Sequence, residues 1–203
     1  YTQKSSNVPN IKSIAILPLV SLSNDENEKA LALGIKEKLL MNLGSLPEIS
    51  VQNVSFDESQ IDKITNTDAI LLGNVQKSDG KIRVNLRFLR ASDKKQIWSE
   101  SFDENQTDLF KLQDAISEKI TNSLALNLTK PEKDQIFKRY TANADAYELY
   151  LKGRYYWNKR NIGFAEEAET YFRRAIEKDP KFALAYVGLA DKLLLNGEKD
   201  ADF

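Results

Sequence analysis

Apolar residues change their spacing several times along the chain, and each change predicts an element. Ile14-Ala15-Ile16-Leu17 is a continuous apolar run closed by Pro18, as in a strand covered on both faces. Leu31, Ile35, Leu39 and Leu43 then recur with helical spacing behind the capping candidates Ser23, Asn24 and Asp25, and Gly44 and Pro47 end the pattern. Ile49 to Val54 predicts a second strand, and the polar stretch after it has room for one short helix. A third strand opens at Ala69-Ile70-Leu71-Leu72.

Asp79-Gly80 is a hairpin signal, since both residue types tolerate the positive φ of a tight turn. Beyond it Ile82, Val84, Leu86 and Phe88 alternate with Arg83, Asn85 and Arg87, which predicts a strand with one buried face. A turn at Ser92-Asp93-Lys94 leads into Ile97–Phe102, where Trp98, Glu100 and Phe102 share a face. If that face is buried Glu100 needs a partner, with Arg83 and Arg87 across the hairpin as candidates, and at a sheet edge it needs none. Leu112, Ile116, Ile120 and Leu124 mark a second long helix.

The order β-α-β, three-strand meander, helix predicts an α/β fold: a mixed sheet of about five strands with two main helices. From Asn127 onward strand periodicity stops. Thr129 and Glu132 have capping-box spacing with Pro131 in the first turn, and Gly153, Gly163, Pro180 and Gly197 punctuate helical patterns to the end. The expected organisation is a linker at 1–10, an α/β domain at 11–129 and an all-α segment at 130–203.

Composition narrows the chemistry. The 203 residues are 41% hydrophobic and 29% charged, as in a soluble globular protein. The absence of His and Cys removes histidine triads, thiol nucleophiles, disulfides and metal sites built on those residues. With 29 basic and 30 acidic residues the formal net charge is −1, so no overall field draws the chain to nucleic acid or an anionic membrane. No run of 18 apolar residues is present to span a bilayer. A start at Tyr1 and a stop at Phe203, within a helical pattern, suggest an excerpt of a longer protein.

Gly80-Lys81 lacks the upstream glycine and the following Ser or Thr of a phosphate-binding loop, so it reads as a turn. Asp25, Glu26 and Glu28 have Ala30 where a calcium loop needs glycine, and acidic residues at a helix start are explained by its dipole. No catalytic, cofactor-binding or metal-binding residue is assigned. Between Lys152 and Arg160, basic residues surround Tyr155, Tyr156 and Trp157; Tyr156 has core spacing, whereas Tyr155 and Trp157 are candidates for a partner contact.

Ala168, Phe172, Ala175 and Pro180 resemble the later half of a tetratricopeptide repeat. Leu149, Gly153 and Tyr156 fit its first helix, with about three extra residues in the turn around Asn161 and Ile162, and Tyr186, Leu189 and Ala190 begin a second unit. Upstream, Ser13–Pro18 with Leu22-Ser23, then Gly34-Ile35, Leu72–Val75, Ile97–Glu100 and Leu109–Asp114, resemble in order the landmarks of the TolB amino-terminal-like domain. The resemblance covers residues 11 to 195.

It implies a non-catalytic interaction or sensory region, on the extracytoplasmic side of a membrane-linked bacterial regulator or envelope protein. A CadC-type winged helix, a nucleotide cyclase or a kinase would serve as output. A cytoplasmic placement, a carboxylate-based enzyme and a structural scaffold are the alternatives. A protein or peptide partner is expected, with a small-molecule ligand also open and no direct nucleic-acid binding. The apolar strip of Tyr186, Leu189 and Leu193 adds self-association to these expectations.

Overall fold

A computed structural model describes residues 11–124, 128–159 and 162–199. The expected linker at 1–10 and the extra turn residue Asn161 lie outside the described residues. The apolar run becomes strand β1 (Ser13–Ile16), and a two-residue strand β2 (Val20–Ser21) follows beyond Pro18. Helix α1 (Glu26–Gly44) leads to β3 (Ser50–Asn53), and a 3-10 turn over Glu58–Lys63 occupies the polar stretch. The meander is β4 (Ala69–Ser78), β5 (Lys81–Arg90) and β6 (Gln96–Asn105), followed by α2 (Leu109–Ser123).

These strands form a mixed six-stranded sheet in the order β3-β1-β4-β5-β6, with β2 added to β4. β1 is parallel to both β3 and β4, whereas β4, β5 and β6 are antiparallel. Asp79 and Gly80 close the first hairpin at φ values of 51° and 74°, the mirror-image turn that matches strand twist. The sheet holds one strand beyond the five expected. β2 is a two-residue pairing of Val20 and Ser21 with Asn74 and Val75, too short to leave an alternation in sequence.

The alternation sorts side chains as β-pleat geometry requires. Ile14, Ile16, Leu71, Val84, Leu86 and Phe88 face α1 and α2, which contribute Ile35, Leu39, Leu112 and Ile116. Ala15, Leu17, Ile70 and Leu72 turn to the opposite face, where Val54, Ile64 and Phe56 cover them. Leu89 and Ala91 join them, and beyond this cluster the face carries polar side chains. Asn85 donates to Asn74 at 2.8 Å and receives the Ser101 hydroxyl at 2.6 Å.

Trp98 stacks on Phe88 at 5.5 Å between ring centroids, so the face it shares with Phe102 is the helix-covered one. Glu100 corrects the sequence expectation. Its partner is Lys119 of α2 at 2.5 Å, while Arg83 pairs with Asp103 and Arg87 with Glu58. The register explains this: Glu100 lies opposite Leu86, so it points toward α2, and the arginines of β5 leave from the other face.

The remaining helices are α3 (Lys130–Ile136), α4 (Ala144–Asn158), α5 (Ile162–Lys178) and α6 (Ala183–Lys199). Thr129 and Glu132 form the capping box that their spacing predicts, and Asn143 caps α4 by accepting the Ala146 N–H at 3.0 Å. α4 packs on α5, and α6 packs on both. Phe172 is fully buried at their junction. A Cβ on Gly153 of α4 or on Gly188 of α6 would come within 2.6 Å of its ring, so the two glycines make the space that it fills.

α4 also lies against α1, and the core continues from the sheet into Tyr147, Leu151, Phe182 and Ala185. α1 is therefore covered on two sides. Ala30, Gly34 and Lys36 are buried as well as the predicted apolar stripe.

Candidate functional site

The seam between α1 and α2 on one side and the later helices on the other is crossed by the ion pairs Arg154–Glu37, Lys159–Glu26 and Arg139–Asp114 and by the Phe110–Tyr147 ring contact. Its closest packing is at Gly34, where the absent side chain admits Leu151 of α4. Beside it Arg154 grips Glu37 with two nitrogens, Nη2 at 2.9 Å and Nε at 3.2 Å, and reaches Asp191 of α6 at 3.6 Å. Burial alone would lower the arginine's affinity for its proton, but the Glu37 contacts outweigh it and raise its pKa. A bidentate guanidinium–carboxylate pair fixes orientation as well as distance.

Glu26 ties the first turn of α1 to the end of α4. It accepts from the Tyr156 hydroxyl and from Lys159 Nζ at 2.8 Å, contacts that hold its carboxyl below the usual range. Asp25 caps the helix by accepting the Asn27 N–H at 2.9 Å. Glu28 is buried and receives the Ser21 hydroxyl at 2.6 Å, the Lys77 N–H at 2.9 Å and the Ser23 N–H at 3.0 Å. Burial pushes its carboxyl up, and these three donors more than offset that. The acidic trio is thus divided among a cap, a clamp and a buried network.

A narrow crevice opens along the seam. Gly34, Glu37, Lys38 and Met41 come from α1, Phe110, Gln113 and Asp114 from α2. Lys138–Thr141 close it from the segment after α3, and Tyr147, Tyr150 and Leu151 of α4 with Leu184 of α6 complete it. The free space is about 30 Å³, room for water. Phe110 lies 5.3 Å from Tyr147, whose hydroxyl accepts from Gln113 Nε2 at 2.9 Å. Burial raises the phenol pKa of Tyr147 and pushes that of Tyr150 up to about 12, so both walls are neutral at physiological pH.

The partner-binding candidates from the sequence occupy two places. Tyr155 and Trp157 of α4 and Leu189 of α6 are half-buried around Tyr156, Ala168 and Phe172. Tyr155 lies under the Lys159 ammonium at 4.5 Å, an internal use of a ring proposed for partner contact. Tyr186 and Leu193 are 47% and 48% exposed on the outer side of α6, beside Val187 and Leu194. None of the five lines the crevice.

The crevice residues leave no pattern along the chain because they come from five separated segments and share no periodicity. Lys138-Arg139-Tyr140, at the break between α3 and α4, carried the one local signal, a basic–aromatic cluster without helical spacing. Among the described residues no group of three or more Asp or Glu side chains is placed to hold a metal ion. No described helix is long and apolar enough to cross a membrane.

No family model matches the chain. A Rhizobium meliloti (strain 1021) protein named "Putative adenylate cyclase 3" is 27% identical over 192 residues, 90% of this chain and 33% of that protein. The chain therefore spans about a third of the length of the curated relative it matches. Solved structures with partial likeness include the PelC dodecamer from Paraburkholderia phytofirmans, 12% identical over 59% of this chain and 94% of that one, with a TM-score of 0.45. TolB from Acinetobacter baumannii is 10% identical over 57% of this chain and 29% of its own, with a TM-score of 0.42. Lipoprotein GNA1162 from Neisseria meningitidis is 18% identical over 60% of this chain and all of that one, at a TM-score of 0.36.

Proposed function

We propose that this chain is a non-catalytic sensory and interaction region of a longer bacterial regulator, with a nucleotide cyclase as the output. The observation that carries the reading is the alignment of nearly the whole chain with one third of a protein named as an adenylate cyclase. The seam supplies the mechanism. Arg154, Glu37, Glu26 and Lys159 couple α1 to α4, so a change on either side alters the packing of the other.

In this reading residues 11–129 are the TolB-like α/β part, and 130–203 a tetratricopeptide-like part with Phe172 as its central packing residue. Tyr155, Trp157, Tyr186, Leu189 and Leu193 are the partner contacts, and the apolar strip on α6 is the route to self-association. An extracytoplasmic placement and a membrane-linked architecture belong to the same proposal.

The relative's name also favours a second reading, in which these residues themselves cyclise ATP. Measuring cyclic AMP formation by the 203-residue chain and by the full-length gene product separates the two. We expect no turnover from the chain alone, turnover from the full-length protein, and a changed rate in full-length Arg154→Met. Turnover by the chain alone would replace the first reading, and a full-length rate insensitive to Arg154→Met would remove the seam as its mechanism.

A further inference from the structure

Three of the five charged side chains along the crevice are already paired: Glu37 with Arg154, and Asp114 with Arg139 at 2.6 Å. Lys38 and Lys138 are left without a carboxylate within ion-pair distance among the described residues. Lys38 Nζ instead donates to the backbone carbonyl of Lys138 at 2.7 Å. Its ammonium lies 5.6 Å from the Tyr140 ring centroid, and the Lys138 ammonium lies 5.1 Å from the same ring. The Arg139 guanidinium covers Phe110 at 5.1 Å.

The crevice thus joins neutral aromatic walls to a surplus of positive charge. Burial is the main influence lowering Lys38; Asp114 opposes it, while Arg139 and Lys138 add to it. A carbonyl oxygen and a ring face are weak compensation for an ammonium partly removed from water, and an anion would satisfy it better.

We propose that this crevice binds a small aromatic carboxylate, with its ring against Phe110 and Tyr140 and its carboxylate on Lys38. The inference gives the ligand class for the sensory reading above and rests on that reading only for its biological role. A monoanion fits better than a phosphate ester, because the walls are apolar and a single ammonium lies inside while Lys138 stays at the exposed rim. The free space admits a ring only after side chains at the mouth move. Met41 and Lys138 are exposed there and unbranched, and such side chains change rotamer readily.

Calorimetric titration of the 203-residue protein with 4-hydroxyphenylacetate, its neutral amide and hexanoate tests the chemistry. We expect saturable binding of the aromatic acid, and at least tenfold weaker binding of both the amide and hexanoate. Lys38→Met should weaken the acid at least tenfold, and Lys38→Arg should retain most of the affinity. Circular dichroism of both variants establishes that the fold is kept, and the arginine variant preserves the charge should the methionine variant fail to fold. No saturable binding of the acid, equal binding of the amide or of hexanoate, or an unchanged affinity in Lys38→Met each overturns the proposal. The cyclase measurement above is unaffected by any of these results, so loss of the ligand class leaves the regulatory reading to stand or fall separately.

Discussion

Lys36 carries the largest mismatch between residue type and surroundings. It lies on α1, is buried, and donates from Nζ to the Val54 carbonyl at 2.5 Å without an acidic partner among the described residues. Burial lowers its pKa to about 8, with nearby Glu37 a weaker opposing influence. The sign of the linkage follows. An unfolded lysine keeps its proton to about pH 10.4, so between about pH 8 and 10 the unfolded state holds more protons and folding gains stability as pH rises. Thermal melts of wild type and Lys36→Met at pH 7.5 and pH 10 should show wild type gaining relative to the variant at the higher pH. A constant difference between the two proteins would refute the lowered pKa.

At the scale of elements, the α4–α5–α6 packing depends on one ring held between two glycines. Phe172→Ala removes the fully buried ring and leaves a void bounded by three helices, which should cost about 3–5 kcal/mol of unfolding free energy in urea. Gly153→Ala should cost about 1–3 kcal/mol by overpacking, since the ring has no free space into which to retreat. A loss below 1 kcal/mol for Phe172→Ala would mean that the helices pack without this ring. The spacing of Ala168, Phe172 and Ala175 made this helix face legible in advance. The same kind of periodicity records only part of α1. The stripe of Leu31, Ile35, Leu39 and Leu43 is buried as its spacing predicts, but Gly34 is buried as well, against Leu151 of α4, and Lys36 at Val54, because hydrophobic spacing records how apolar a face is and not which segment comes to lie on it.

For the whole molecule, the Arg154–Glu37 pair adds to the shared core in holding the helical part to the α/β layer. Its side chains are each 23% exposed, enough burial to make loss of one partner costly and enough solvent to keep the pair well below the energy of a dry ion pair. A double-mutant cycle with Glu37→Gln and Arg154→Met should give a coupling energy of about 1–2 kcal/mol, with the double variant less destabilised than the sum of the single ones. Additive effects would show that the two side chains act independently. Asp191, also within reach of Arg154, leaves the arginine a second carboxylate when Glu37 is neutralised.

By itself the sequence determined whatever depends on neighbours along the chain. The two-residue period placed Ile82, Val84, Leu86 and Phe88 on one face, Asp79-Gly80 set the hairpin through its positive φ, and Thr129 with Glu132 set the start of α3. Only the tertiary structure decided the pairing of Glu100 with Lys119, the addition of β2 to β4, and the crevice that unites Lys38, Phe110, Tyr140 and Tyr147. The physical reason is common to all three. Backbone dihedrals and capping bonds act over a few residues, whereas burial and ion pairing act between whichever surfaces packing brings together, and those surfaces are far apart in this chain.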